Sequence, residues 1–570
     1  MKQRWPILLL GAAIVTSTIL LLYLGRDQTP VVDQWSYIYA YQSWSVESLL
    51  TPHSAHLVVL PVILYKGMFE VFGLESQLPY QLVNLALSAS VAVLLFALIR
   101  GSVGDLLALA AATLMLFYGA GADVIVPTFQ FTNLIGLASG MGMLLALRRG
   151  DVRGDLAACL LLAMSLASFS IGAAFAVGAL VMLALRPTGH RLERWWVVAA
   201  PIVLYAAWAL WARKYDQQTI YLHNLKILGS ALVDQLSASL AGISGLFTTP
   251  NGPKPEDNPV PIRTEWGPAL VVGLAALLIA RLRRPPKPGP DALAATTVLV
   301  VYFLLVGIAL NMFRNTFDTR LVYLGSVLTL LAVAQLCGPY RPSRTVLVVV
   351  AVVFAFSMGA NVTELSDSAQ YLRERSAAIR AKLTAVDLAG DAAPPPVLVE
   401  EPPDAMTFNV ETFHQLEADF GLPTYTEAEL RTASPDARQA ADEELVRVLE
   451  ITPRSTAGVE PAADTEDGLL LRAATKGEVT RAGACVTLVP RPAAKMEALL
   501  ELPPGGMTYA AAGEPAEVSL GRFADAPAVA LPPRSGSMVV RIPSDDSDAP
   551  WLAQVHATAR TLVCPADGLA

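Results

Sequence analysis

Long apolar runs recur through the first 361 residues and then stop, and no other feature of the chain constrains its fold as strongly. A helix needs about twenty predominantly apolar residues to cross a hydrocarbon core. The runs are Trp5 to Leu24, Leu78 to Ile99, Leu106 to Tyr118, Thr128 to Leu147, Leu156 to Ser168, Ile171 to Leu185 and Trp195 to Ala212. Trp266 to Ala280, Ala292 to Leu310, Leu321 to Leu336 and Val346 to Ala360 follow. Together they predict a multi-pass α-helical membrane protein with about eleven spans. The first run follows a basic Met-Lys-Gln-Arg start without a convincing small-x-small cleavage site, so it reads as a retained anchor.

Charge gives an independent test of topology. Residues through Asn361 carry an excess of about seven Lys and Arg, and the remainder an excess of about fifteen acids, which together make the net charge of -8. Two differently solvated regions are joined near Asn361. Lys and Arg are retained in short cytoplasmic loops. Arg100, the Arg148-Arg149-Arg153 group, the Arg186-Arg191-Arg194 group, the Arg281 to Lys287 group and Arg341 with Arg344 all fall on one side of an eleven-span chain. That side agrees with Lys2 and Arg4 inside, and it puts the C-terminal domain outside. Leu156 to Ser168 and Ile171 to Leu185 are short and separated only by a Phe169-Ser170 corner, but reading them as one span would break the alternation.

The expected organisation is a membrane region over 1–361, a helical and Pro-rich extracytoplasmic segment over 362–467, and a β-rich domain over 468–570. Thr363 to Val386 and Glu427 to Leu449 read as charged helices, broken by Pro394-Pro-Pro396 and Pro402-Pro403. Alternating runs such as Cys485 to Val489, Met538 to Ile542 and Gln554 to Val563 predict a β-sandwich closing an α+β domain. Cys485 and Cys564 lie in strands of this exterior domain and are expected to form a disulfide, the alternative being two buried thiols. Trp551, Tyr509 and Phe523 read as core, with carbohydrate stacking as the alternative. The acidic balance excludes nucleic acid as a partner of this domain.

Three outward segments are long enough to hold chemistry: the loop over 25–77, the loop over 213–265, and Asn311 to Thr319. Ala55 to Phe72 and His223 to Phe247 read as helices lying at the membrane interface. The first loop concentrates functional side chains: Asp33-Gln34-Trp35-Ser36-Tyr37, then Thr51-Pro52-His53-Ser54-Ala55-His56. The two histidines would share one face if their segment were helical. Arg314 and Arg320 flank the third segment, with Tyr323 one helical turn after Arg320. Arginine at the outer end of a span runs against the positive-inside bias, which points to anion binding, although Arg320 has a local partner available in Asp318. Polar residues inside the runs are few, with Asn84, Gln130, Asn133 and Asn311 as hydrogen-bonding candidates, and no chain of acids and bases suggests a proton-coupled transporter.

A first span followed by an outward acidic-aromatic motif, an interfacial helix and paired spans resembles the GT-C superfamily of membrane glycosyltransferases. Asp33-Gln34-Trp35 with His53-Ser54-Ala55-His56 is similar to the Asp-Glu-Trp and His-Asn-Glu-His-Arg pattern of many bacterial members. Gln34 stands where that pattern has a second acid, Ala55 where it has Glu, and Leu57 where it has Arg. The resemblance implies transfer of a sugar from a polyprenyl-phosphate donor to a cell-envelope glycan, lipid or protein, by an inverting displacement of a hexosyl or pentosyl group. It implies Asp33 as the catalytic base, Trp35, His53 and His56 as substrate contacts, and Arg314, Arg320 and Tyr323 as the donor-phosphate site. The residues themselves leave Asp33 open to a second reading, as the N-cap of a helix starting at Gln34. No third ligand accompanies the His pair, so a divalent metal is not supported by a ligand set. The bilayer is a further partner, and a bacterial cytoplasmic membrane is the expected location. The alternative function is a non-catalytic scaffold or transport component for cell-envelope polysaccharide.

Overall fold

A computed structural model gives the fold. It describes residues 4–566 apart from 32, 42, 129, 187–193, 216, 218–219, 248–265, 312–314, 339–342, 394–397, 402–405 and 460–467. The chain divides into two compact units, one of residues 1–72 and 77–373 and one of residues 73–76 and 374–570.

The first unit is helical. It begins with α1 (Trp5–Leu24), α2 (Asp33–Ala40), α3 (Val46–Leu50), α4 (Val59–Phe72), α5 (Leu78–Val103) and α6 (Asp105–Leu116). The short α7 (Ala122–Ile125), then α8 (Phe131–Leu147), α9 (Val152–Leu166), α10 (Ile171–Leu185) and α11 (Trp196–Ala212) continue it. α12 (Leu228–Ser244), α13 (Gly267–Leu282), α14 (Pro290–Ile308) and α15 (Thr319–Cys337) lead into α16 (Arg344–Ala389). Each of the eleven apolar runs therefore becomes a helix. Among the described residues, six helices are long and apolar enough to cross a membrane, or seven if the bent pair formed by α6 and Gly119–Ile125 is one span.

Local chemistry sets many of these boundaries. Proline sits in the first turn of α1, α5, α13 and α14, where its missing N–H costs nothing. Asp151 caps α9 by accepting the Gly154 N–H at 2.7 Å. Gly104, at φ 85°, separates α5 from α6 in a conformation that a side chain would strain. Polar bonds then cross between helices: Ser17 donates to the Leu116 carbonyl at 2.8 Å, Ser165 to Gly136 at 2.6 Å, and Gln235 to Phe303 at 3.0 Å.

Two expectations change here. The helix anticipated over His223 to Phe247 is a 3-10 turn, Leu222–Lys226, followed by α12. α12 does not lie apart from the bundle, because its small residues pack on α13, α14 and α15. A Cβ on Gly242 would fall 1.9 Å from the Tyr118 hydroxyl, which shows how close the approach is. The expected join at Asn361 lies inside α16, which runs unbroken from its Val-rich start into its charged half and from one unit into the other.

The second unit carries α17 (Val410–Phe420), α18 (Glu427–Thr432) and α19 (Pro435–Val448). The single acidic helix expected over Glu427 to Leu449 is split, because Ser434 caps a new helix that starts at Pro435. A two-stranded ribbon pairs β1 (Leu398–Glu401) with β2 (Met406–Asn409). The other strands are β3 (Arg454–Ser455), β4 (Leu470–Thr475), β5 (Gly477–Ala482), β6 (Cys485–Pro490), β7 (Met496–Glu501) and β8 (Gly505–Ala511). β9 (Glu517–Gly521), β10 (Val529–Ala530), β11 (Ser537–Ile542), β12 (Leu552–Ala557) and β13 (Thr561–Pro565) complete them. They form antiparallel sheets ordered β10-β9-β12-β7-β4 and β3-β11-β8-β13-β6-β5. Trp551, Tyr509 and Phe523 are buried, in keeping with a role in the core.

Cys485 and Cys564 form a disulfide between the adjacent strands β6 and β13. The link closes a loop with a sequence separation of 79, so it removes much conformational freedom from the unfolded chain. Replacing both cysteines by serine should lower the stability of this unit by roughly 2–4 kcal/mol. Thermal unfolding of the full chain, with thiol labelling to confirm the bond in the parent, measures the loss. A change under about 0.5 kcal/mol would contradict the prediction.

Candidate active site in the first loop

The first loop folds back on the bundle through α2. Asp33 is the first residue of this helix, one position further in than a capping role would place it, and its side chain lies outside the described part of the structure. The next two residues are buried: Gln34 is fully enclosed, and Trp35 is a core side chain. Gln34 Nε2 donates to Gln77 Oε1 at 2.7 Å, and the Thr128 hydroxyl lies 3.0 Å from Gln34 Oε1 and 2.9 Å from Gln77 Oε1. A carboxylate at position 34 would turn a donor toward Gln77 into a second acceptor. The departure from a second acid is thus matched by its surroundings.

This cluster yields a stability prediction. Thr128→Val keeps the shape but removes the hydroxyl that serves two buried amides, and should cost about 1–3 kcal/mol. Thermal unfolding in detergent reads the effect, and Thr128→Ser should recover most of it. Equal losses in the Val and Ser variants would point to the methyl group instead.

An aromatic column stands beside the cluster. Tyr37 stacks on Tyr65 at 5.3 Å and on His53 at 4.9 Å, and Tyr65 stacks on Phe131 at 4.4 Å. The Tyr65 hydroxyl donates to the Thr128 carbonyl. Tyr37 also shares a hydrogen bond of 3.2 Å with Thr132. His53 is half-buried at one end of this column.

The His53 to His56 segment is not helical. The His53 N–H donates to the His56 carbonyl at 3.1 Å and the His56 N–H returns a bond of 2.9 Å, while Ser54 and Ala55 take φ of 48° and 62°. Two positive φ values in a closed pair describe a tight type I′ turn. Neither residue is glycine, so the turn needs outside support. Gln217 supplies it by accepting the Ala55 N–H at 2.5 Å. His56 Nδ1 is 2.6 Å from the Ser170 hydroxyl, and its ring meets Phe169 edge-on at 4.7 Å. The Phe169-Ser170 corner between α9 and α10 is therefore the seat of His56. α4 begins at Val59 because Ala55, expected within it, belongs to this turn.

The end of α11 and the second loop clamp the first. Lys214 pairs with Glu47 at 2.6 Å, Thr51 bonds to the Tyr215 hydroxyl at 3.2 Å, and Trp208 Nε1 donates to the Leu50 carbonyl at 2.8 Å. The hydrogen bond from the Lys214 ammonium holds the Glu47 carboxyl below the usual carboxylate range. Farther along, Asn224 donates to the Ile308 and Leu310 carbonyls at 3.2 and 2.8 Å, which ties the second loop to the end of α14.

The third segment gives a different result. Arg314 lies outside the described residues. Arg320 holds Asp318 with two bonds of 3.1 and 2.9 Å, and the same carboxylate caps α15 through the Arg320 N–H at 3.0 Å. Tyr323 is fully buried and packs edge-on against Tyr118 at 6.1 Å.

A fourth segment was missed in the sequence. The connection from Phe117 to Thr128 folds as a bent, largely buried element between α6 and α8. Asn84 supports it with bonds to the Val124 and Ile125 carbonyls, at 3.0 and 3.4 Å. It carries Thr128, and it also carries Asp123, an exposed acid whose carboxylate accepts a hydrogen bond from Thr319. Its apolar composition makes it look like a continuation of the flanking spans. The usable signal was Gly119-Ala120-Gly121 with Pro127, which breaks a helix at both ends.

Comparison with known proteins adds the following. No protein-family model and no curated protein matches the chain. Solved structures to which the chain is similar include two glycosyltransferases. One is the Archaeoglobus fulgidus oligosaccharyltransferase tethered with an acceptor peptide containing the NVT sequon, at 12% identity and TM-score 0.39, covering 74% of this chain and 63% of that one. The other is arabinosyltransferase EmbB from Mycobacterium smegmatis, at 12% identity and TM-score 0.36, covering 97% of this chain and 64% of that one. This chain thus spans less than two thirds of either protein. At these scores the likeness assigns no residue role.

Proposed function

We propose that the chain is a membrane glycosyltransferase that moves a sugar from a polyprenyl-phosphate donor to a cell-envelope glycan, lipid or protein at the outer face of a bacterial cytoplasmic membrane. In this reading all eleven apolar helices cross the bilayer, the N-terminus is cytoplasmic and the second unit, with its two sheets packed as a sandwich, lies outside. The observation that carries it is the build of the first loop. Asp33 opens a helix whose next two residues are buried, and the second loop and the α9-α10 corner both brace the neighbouring His53 to His56 turn.

A base at the membrane surface suits transfer from a lipid-borne sugar to a water-borne hydroxyl. The Asp33 carboxylate takes the acceptor's hydroxyl proton as that oxygen bonds to the anomeric carbon. The bond from the anomeric carbon to the phosphate oxygen breaks, and polyprenyl phosphate leaves with the electron pair. A single displacement inverts the anomeric centre. Arg314 and Arg320 are assigned to the leaving phosphate, which in the case of Arg320 would compete with Asp318 for the guanidinium. His53 and His56 are assigned to substrate, while buried Trp35 supports the helix that presents Asp33.

The test is chemical analysis of the envelope glycans and glycolipids of a deletion strain, with reconstitution of the purified protein on synthetic polyprenyl-phosphate sugars. A specific missing sugar, restored by the wild-type gene, supports the proposal. Unchanged glycan structures with a defect only in polymer export would replace it with the scaffold or transport reading.

A further inference from the structure

We infer that Trp44, Glu70 and Lys66 form a carbohydrate-stacking subsite on the first loop, separate from the His53 to His56 turn. Trp44 lies in the short connection between α2 and α3 and is 46% exposed. An exposed tryptophan is commonly a loosely held surface ring, but this one is fixed from two directions. Its Nε1 donates to Glu70 Oε1 at 2.5 Å, and Lys66 Nζ stands 4.9 Å from the ring centroid. Lys66 and Glu70 are one turn apart on α4 and lie 3.9 Å from each other.

The asymmetry of this cluster gives it a chemical meaning. The Lys66 side chain is only 9% exposed, so its ammonium covers one face of the indole from within the protein. In this reading the sugar takes the opposite face of the ring. Glu70, with a side chain 46% exposed, sits at the indole's polar edge with acceptor capacity beyond the indole bond. A flat apolar face bordered by an exposed carboxylate matches a sugar ring, which offers a patch of C–H groups on one side and hydroxyl donors around its rim. A buried cation beneath the indole also makes a bound cation on the open face unfavourable, and the carboxylate at the edge disfavours a phosphate.

The connection is braced as a platform requires. The Ser43 and Ser45 hydroxyls are 2.8 Å apart, and Ser45 caps α3 by accepting the Ser48 N–H at 3.2 Å. α3 in turn carries Glu47, the partner of Lys214 in the second loop. The ring is thereby held in the same loop that holds Asp33. In its choice of a carbohydrate ligand the inference rests on the glycosyltransferase reading, and it adds where a sugar unit beyond the reacting one would lie.

Saturation-transfer NMR on the full chain in nanodiscs tests binding without turnover, using maltohexaose, a linear mannotetraose and an arabinofuranose tetrasaccharide as probes. At least one probe should bind the wild type, with transfer concentrated on the C–H protons of one ring face. Trp44→Ala should weaken that binding roughly tenfold, Trp44→Phe less, and Glu70→Gln should weaken it with the ring still in place. Asp33→Asn should bind the probe as the wild type does, so loss of turnover in that variant does not count against the subsite. Equal binding by the wild type and Trp44→Ala, or binding of no probe by the wild type, overturns the inference. So does a Trp44→Ala variant whose only change is loss of quenching by bilayer-depth probes, which would make the ring a membrane anchor.

Discussion

Asp33→Asn should lower the rate of sugar transfer by roughly 10²–10⁴-fold while leaving the protein folded and present at normal levels. Asparagine keeps the size and hydrogen-bonding reach of aspartate but cannot accept the acceptor's proton. Asp33 opens α2, so losing its negative charge at the helix N-terminus should cost only about 0.3–1 kcal/mol. The buried neighbours Gln34 and Trp35 keep their contacts in the variant, because their anchors are on Gln77, Thr128 and the surrounding core. A large fall in turnover with a small change in melting therefore separates catalysis from capping. Turnover within a factor of about three of the wild type would remove Asp33 as the base.

Asp155→Asn should destabilise the helical unit by about 3–5 kcal/mol. Asp155 in α9 and Arg194 just before α11 are buried together, and the pair is bidentate, with bonds of 2.8 and 2.5 Å. Removing the acid leaves a guanidinium enclosed without its counter-charge. The cost comes from that stranded charge more than from the lost attraction, because two buried ions bound together repay little more than their own desolvation. Asp155→Asn combined with Arg194→Met should accordingly be more stable than Asp155→Asn alone. Thermal unfolding in detergent of these two variants and of Arg194→Met alone, read as a double-mutant cycle, decides the matter. A single-variant loss below about 1 kcal/mol would show that water reaches the pair.

The helical framework was legible because its determinants are local. Runs such as Leu78 to Ile99 and Ala292 to Leu310 are apolar on every side, and proline at the start of α5 and α14 marks where they begin. The disulfide was legible because only two of the four cysteines fall in the β-rich region. Arg320 was half legible: its pairing with Asp318 follows from a separation of two residues, and the structure adds that the same carboxylate caps α15. The surroundings of Tyr323 were not legible, since its packing against Tyr118 and Gly121 joins residues about two hundred positions apart.

By itself the sequence determined which segments become helices, where charge changes sign, and which loop concentrates acid, imidazole and aromatic groups. Those properties depend on composition and on spacing within a few residues. Only the tertiary structure decided the turn at His53 to His56, whose Ser54 and Ala55 take φ values that their own preferences oppose. It likewise decided the Gln34, Gln77 and Thr128 cluster and the bent element from Phe117 to Thr128. Each is held by partners far away in the chain, Gln217 and Ser170 for the turn and Asn84 for the bend, and hydrogen bonds of that range leave no periodic trace in the sequence.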